Sequence, residues 1–142
     1  MNKVMITALI CALFTVGCSD PNQEKIDELK KECISIHDEV MPRLDEIVSL
    51  NSEIKAWRNT LEKDTTDSAS MAKRMLVMQI NMLDSAYESM MLWMGEYDPT
   101  YEVTNSSDSA LVYYDREKES IKKVKDLMKK SIDDGKKVLE LR

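Results

Sequence analysis

Apolar residues recur at every seventh position between Gln23 and Asp64, the most regular stretch of the chain. One series comprises Ile26, Cys33, Val40, Ile47, Ile54 and Leu61. A second series, three residues further on, comprises Leu29, Ile36, Leu50 and Trp57, and only Arg43 interrupts it. A 4-3 spacing sustained over this length predicts a long helix with one face buried against partner helices.

Two features modify this helix. Four flanking residues widen its buried face, so we expect it to contact two neighbours: His37, Met41, Leu44 and Val48. Pro42 lies in the middle of the helix and removes the hydrogen bond to the carbonyl of Asp38. Because the 4-3 phase continues through Pro42 and no turn residues surround it, we predict one helix kinked at Pro42 rather than two helices.

Two more helices follow. The polar segment Lys63–Ser68 reverses the chain, and Asp98-Pro99 ends the second helix before a polar loop over 100–108. The second helix carries Leu76, Ile80, Leu83, Tyr87, Met90, Met94 and Tyr97, flanked by Met71, Met75, Met78 and Met82. The third carries Ile121, Val124, Met128, Ile132, Gly135 and Leu139. Gly135 costs about 1 kcal/mol of helix propensity, so we expect a close helix contact there. The pattern predicts an all-α fold, an elongated antiparallel up-down-up three-helix bundle.

The first reversal also sets a register. With the turn centred between residues 65 and 66, the numbers of facing residues sum to about 131, because antiparallel helices share one rise per residue. Met94 then lies opposite His37, and Met90 lies opposite Met41. The start of the first helix extends beyond the second helix, and we expect the loop over 98–108 to pack on it.

The N-terminus resembles the signal peptide of a bacterial lipoprotein. Val4–Val16 is uncharged and mostly apolar, too short to cross a bilayer comfortably and suited to a signal h-region. It ends in Gly17-Cys18, which resembles the lipobox, where a peptidase cuts before a Cys that carries diacylglycerol; Thr15 stands where Leu is usual. The alternative is ordinary secretion with an unmodified Cys18.

This interpretation divides the chain into a signal peptide (1–17), an anchor with a short tether (18–22) and a helical bundle domain (23–142). The residue after Cys18 is Ser19 rather than Asp, which resembles an outer-membrane sorting signal. We therefore expect a bacterial cell-envelope protein, lipid-anchored at the outer membrane.

Composition narrows the functional classes. The 142 residues are 43% apolar and 32% charged, too apolar for a disordered chain. The net charge of −6 disfavours nucleic acid and anionic lipid surfaces as partners. With Cys11 in the leader and Cys18 lipidated, Cys33 remains alone, so no disulfide framework is expected. The single histidine and the lack of a glycine-rich loop or nucleophile motif indicate no catalytic residue, and we do not expect an enzyme.

One cluster has the chemistry of a soft-metal site. Cys33, His37 and Met41 are spaced i, i+4 and i+8, and the register brings Met90 and Met94 opposite them, with Trp93 alongside. Thiol, imidazole and thioether are ligands that suit Cu(I), and an indole face also attracts cations. The alternative is that methionine fills the core and Cys33 is a small buried hydrophobe.

Two short motifs suggest modification. Asp67-Ser68-Ala69 and Asp108-Ser109-Ala110 resemble the Asp-Ser/Thr-small sequon for O-glycosylation in Bacteroidota, which would modify Ser68 and Ser109. The alternative is that these Asp and Ser residues are helix caps. The two interpretations are compatible, since caps are exposed.

Ile36-His37-Asp38-Glu39-Val40-Met41-Pro42 together with Met90-Met91-Leu92-Trp93-Met94 resembles small uncharacterised helical lipoproteins of Bacteroidota, some of which carry the label "viral A-type inclusion protein". The resemblance implies an envelope location and a helical body, and no activity. Three classes of function follow: a structural or protein-interaction module with an envelope protein partner, a Cu(I) or Ag(I) binding module, and a carrier of an apolar ligand.

Overall fold

The computed structural model describes residues 21–142, which are all-helical and contain no strand. The helices are α1 (Pro21–Val40), α2 (Leu44–Thr60), α3 (Asp67–Glu96), α4 (Tyr101–Thr104) and α5 (Ser107–Glu140). The predicted helical fold class is confirmed for this part of the chain. The signal peptide and the anchor residue Cys18 lie outside the described residues.

Pro42 replaces one turn of α-helix by a 3-10 turn, and no loop forms there. Met41–Arg43 form a single 3-10 turn, and the N–H of Leu44 bonds to the carbonyl of Met41 as α2 begins. Val40 and Leu44, on either side of the turn, are both buried. The apolar face of α1 therefore continues into α2, and α1, the turn and α2 form one long helical segment.

Side-chain caps start α3 and α5, but not at the predicted residues. Thr66 and Ser106 have extended backbones, and each side chain accepts a hydrogen bond from the N–H three residues on. The interpretation of the Asp and Ser of the two Asp-Ser-Ala motifs as caps is wrong, because these residues already lie within the first helical turns. A cap needs a non-helical backbone to aim its oxygen at the helix N-terminus.

The main core lies among α1, α2, α3 and α5. Most positions of the 4-3 series are buried there, including Ile47, Leu76 and Met128. Val48 and Tyr87, which the pattern places on the buried faces, are exposed instead. A strict seven-residue spacing drifts by about 20° per heptad on a straight helix, so side chains at the edge of a stripe rotate toward solvent.

A second core, here the tyrosine core, holds the start of α1 against α5. It comprises Ile26, Leu29, Ala110, Tyr113 and Tyr114, with Tyr101 of α4 packed against it. Lys30 pairs with Glu102 of α4. These contacts confirm that the segment after α3 packs on the start of the first helix.

Gly135 lies where α5 meets two other helices. A Cβ at this position would lie 3.3 Å from Nε2 of Gln79 and 3.5 Å from Cδ1 of Leu50. The buried amide of Gln79 donates a 2.8 Å hydrogen bond to the carbonyl of Ser131, so it is held in place. The close approach expected at Gly135 is confirmed.

Within residues 21–142, the helices are too polar or too short to cross a bilayer.

Candidate soft-ligand site and exposed apolar surfaces

His37, in the last turn of α1, lies between a carboxylate and a thioether. Its Nδ1 is 2.9 Å from Oδ1 of Asp38, and its Nε2 is 3.3 Å from Sδ of Met94 on α3. The imidazole is largely buried, whereas the carboxylate of Asp38 is exposed. The register deduced from the sequence placed Met94 opposite His37, and this contact confirms that placement.

The contact with the carboxylate of Asp38 favours one tautomer of a neutral His37. An ionised carboxylate only accepts hydrogen bonds, so a neutral His37 carries its proton on Nδ1 and presents the Nε2 lone pair to the sulfur. Two electron-pair donors then face one another across 3.3 Å. A carboxylate on the far nitrogen of a histidine is also the arrangement that orients metal-binding imidazoles.

Aromatic rings extend from this pair into the tyrosine core. The imidazole centroid is 5.8 Å from the ring of Trp93, which stacks on Tyr97 at 4.8 Å. Tyr97 in turn meets Tyr114 edge-on at 6.2 Å. Nε1 of Trp93 and the hydroxyl of Tyr97 are buried with no hydrogen-bond partner within the described chain. Such groups are uncommon in packed interiors, so the surroundings of His37 are not fully satisfied by the protein itself.

The remaining sequence-derived ligands are placed differently. Cys33 is fully buried, and its thiol donates to the carbonyl of Tyr114 at 3.7 Å. Burial, followed by the negative charge of Glu117, raises the pKa of this thiol to about 11. Met90 is fully buried in the main core, and Met41 is half-buried against it. The contacts therefore bring His37, Met94 and Trp93 together, while Cys33 has the character of a core residue.

A cleft of about 400 Å³ opens between α2 and α3. Its apolar wall includes Val48 and Tyr87. Its polar wall is ordered, because Nδ2 of Asn51 donates to Oδ1 of Asp84 at 2.7 Å and Lys55 lies 3.7 Å from the same carboxylate. The cleft thus combines apolar surface with a few fixed polar groups, as ligand and partner sites commonly do.

Exposed apolar side chains continue from this cleft along α3. We call Val48, Tyr87, Met91 and Leu92 the apolar patch. Val48 is 54% exposed and Leu92 is 61% exposed, so neither is a core residue. Sequence reasoning missed the patch because it assigned Val48 and Tyr87 to buried faces. An apolar residue outside the 4-3 series, such as Leu92, was the sequence feature that could have indicated an exposed apolar patch.

A second apolar surface lies on the opposite side of α3. Met71, Met75, Met78 and Met82 line one groove of about 470 Å³ between α3 and α5, here the methionine groove. Val138 of α5 lines it as well. The sequence identified these methionines only as flanking residues, although their spacing of four, three and four residues already placed them on one helical face.

The two serines of the O-glycosylation sequons are exposed. Ser68 lies in the first turn of α3 and Ser109 in the first turn of α5. The hydroxyl of Ser68 is 3.2 Å from that of Thr66, and the hydroxyl of Ser109 is 3.0 Å from that of Ser106. Both positions are accessible, and their modification stays a prediction.

No three His, Cys, Asp or Glu side chains of residues 21–142 converge on a point where a metal ion would fit. A site based on thioethers is a different case, since methionine is the soft ligand there.

No family model matches the chain, and no curated protein or solved structure gives a match to it.

Proposed function

We propose that the protein is a lipid-anchored helical module of the bacterial cell envelope that binds another envelope protein through the apolar patch. The leader that ends in Gly17-Cys18 supports the anchor. Labelling cells with a palmitate analogue tests it, and we expect the full-length protein to be labelled and its Cys18→Ala variant not to be. Equal labelling of the two would refute the anchor.

We infer an up-down-up bundle for the body. Along the first helical segment (α1 and α2) and α3, partner numbers run in opposite senses, because His37 of α1 meets Met94 whereas Asn51 of α2 meets the carbonyl of Ile80. Along the first segment and α5, partner numbers rise together, from Glu32 with Lys118 to Glu39 with Lys125 and Glu46 with Lys136. These pairs support α3 running against both neighbours, which leaves one side of α3 open beside α2.

The exposure of the apolar patch beside a preformed cleft is the observation that carries the interaction role. Tyr87 links the cleft to Met91 and Leu92, so apolar surface and hydrogen-bonding groups are available together. Aromatic residues and methionine are enriched at the cores of protein interfaces. We expect a partner that inserts an apolar side chain between Val48 and Tyr87 and places a polar group near Asp84.

Photo-crosslinking in cells tests this role. A benzoylphenylalanine at Tyr87 should give one defined crosslinked species, whereas the same probe at Glu53, exposed on α2, should not. Leu92→Glu should remove the species by burying a charge in the interface. Asn81→Glu, on an exposed position of the same helix, is the matched control and should keep it. A species that persists in Leu92→Glu would contradict the proposed surface.

The geometry at His37 favours a second candidate function, the binding of Cu(I) or Ag(I). With first-row metal bonds of about 2.0 Å to imidazole nitrogen and about 2.3 Å to sulfur, the 3.3 Å between Nε2 and Sδ corresponds to an angle at the metal of about 100°. That angle suits trigonal or tetrahedral coordination. The ring of Trp93 stands nearby to shield a soft cation from water.

Competition titration against a Cu(I) chelator tests this candidate. Cu(I) at a hundredfold excess over its dissociation constant should stabilise the folded protein by about 2.7 kcal/mol. His37→Gln with Met94→Leu should reduce this stabilisation and remove one bound Cu(I), since both changes nearly keep side-chain volume. Met91→Leu, at an exposed methionine of the same helix, should leave the effect unchanged. Failure of the wild-type protein to bind Cu(I) would end this candidate and leave the interaction role untouched.

A further inference from the structure

The methionine groove places four thioethers on one accessible face. Met71, Met75, Met78 and Met82 are spaced i, i+4, i+7 and i+11, which puts them in one row along α3. All four line the same groove between α3 and α5. We propose that this row binds a soft monovalent cation, Cu(I) or Ag(I), at a site separate from His37.

Core packing does not account for the two exposed methionines of the row, Met71 and Met78. Met71 is 67% exposed and Met78 is 68% exposed, whereas Met90 and Met128 are fully buried. An adaptable side chain that fills core gaps explains the buried pair. It does not explain two long thioethers in solvent, on the same row as two half-buried ones. The row therefore has accessible sulfur at one edge and sulfur fixed against the protein at the other.

The chemistry of the groove selects for soft monovalent ions. Thioether is a neutral, soft ligand that suits Cu(I) and offers little to Mg²⁺ or Ca²⁺, which prefer oxygen. The charged residues at the rim are Arg74, Lys137 and Asp134. The carboxylate of Asp134 is already bonded to Lys130 and lies 3.6 Å from Lys137. The rim therefore adds no free carboxylate, and the positive charges of Arg74 and Lys137 repel a divalent ion more strongly than a monovalent one.

The site differs from the His37 pair in access. Its outer side chains, Met71 and Met78, are mostly exposed, so a cation reaches them without any opening of the bundle. Val138, half-buried on α5, supplies an apolar wall that lowers the competition from water. A methionine-rich groove of this kind also suits an apolar peptide. Peptide binding and cation binding can be distinguished experimentally, because a peptide needs apolar surface whereas a cation needs sulfur.

Titration of the full-length protein with Ag(I) tests the proposal. Ag(I) has no redox chemistry under these conditions, and methyl-¹³C methionine reports each thioether separately by NMR. The row is about 16 Å long at the rise of an α-helix, so one ion reaches only neighbouring thioethers. We expect the methyl signals of adjacent groove methionines to shift together as one equivalent is added. Replacing all four residues by Leu keeps apolar surface and removes the sulfur. This variant should lose one bound equivalent in native mass spectrometry.

Two further variants keep the test decisive. Met71→Leu with Met78→Leu alters only exposed side chains, so it should fold normally and weaken Ag(I) binding at least tenfold. His37→Gln with Met94→Leu should leave the groove signals and their shifts intact. Unshifted groove signals in the wild-type protein, or full Ag(I) binding by the fourfold Leu variant, would overturn the proposal. A peptide ligand that binds wild-type and Leu variant equally, with no Ag(I) effect, would show a docking groove instead.

Discussion

The close packing around Gly135 gives a stability prediction that depends mainly on the contact with the Gln79 side chain. A Cβ added there meets Nε2 of Gln79 at 3.3 Å, Cδ1 of Leu50 at 3.5 Å and Cδ1 of Leu83 at 3.7 Å. The neighbour at the shortest distance has little freedom, because its amide already donates to the carbonyl of Ser131. Substitution therefore forces either the Gln79 amide or α5 to move.

The sign of the effect depends on the size of the new side chain. Gly135→Ala gains up to about 1 kcal/mol of helix propensity, and a weakened Gln79 hydrogen bond costs about the same. We expect this variant to be near neutral. Gly135→Val adds methyl groups against three filled positions, and overpacking with the lost hydrogen bond should cost about 2–3 kcal/mol net.

Thermal unfolding followed by circular dichroism measures these differences, and the expected fall in Tm for Gly135→Val is about 10 °C. Gly95 is the matched control, since it also lies in a helix but has nothing within 4 Å of its added Cβ. Gly95→Val should not lower stability in the same way. Equal stability of Gly135→Val and Gly95→Val would refute the close helix contact.

Three further outcomes follow from buried and paired groups. Cys33, buried and with its pKa raised to about 11, should react with a thiol reagent at pH 8 only after unfolding; rapid labelling of the folded protein would contradict its burial. Hydrogen bonds from Lys125 and Lys129 lower the pKa of Glu39 from 4.5 to about 2. Its stabilising effect should therefore be full above pH 4.5 and vanish as pH falls toward 2, so urea unfolding should show wild type and Glu39→Gln converging over that range. Tyr114→Phe removes a hydroxyl that donates to the carboxylate of Glu102 and lies 3.2 Å from the carbonyl of Asp98, and thermal unfolding should show a loss of about 1–2 kcal/mol.

The register between the first two long helices was predictable because few quantities determine it. Both helices share one rise per residue, and the polar turn between them is short. Once the turn centre was placed, His37 and Met94 had to meet, and their side chains lie 3.3 Å apart. The phase survives Pro42 because the chain shifts to a single 3-10 turn instead of forming a loop.

Side chains at the edges of the stripes were not predictable in the same way. Tyr87 fits the 4-3 series and Val48 flanks it, yet both face solvent, because the pattern records spacing and not the rotation of each helix about its axis. Cys33 was grouped with His37 by spacing, but its thiol bonds to a carbonyl of α5. Which helix occupies that side of α1 depends on tertiary packing, which the spacing along α1 alone does not contain.

The C-terminal third of α3, together with the adjacent Tyr97, departs from regular bundle packing on two sides. Its exposed side holds Met91 and Leu92, and its buried side holds polar atoms of Trp93 and Tyr97 that have no partner among residues 21–142. Tyr97 also packs against both the main core and the tyrosine core, so this stretch joins the two. Natural sequences tend to break packing rules at functional sites and satisfy them elsewhere. A partner on the apolar patch and a cation at His37 would therefore act on the same segment, one from its solvent face and the other from its buried face.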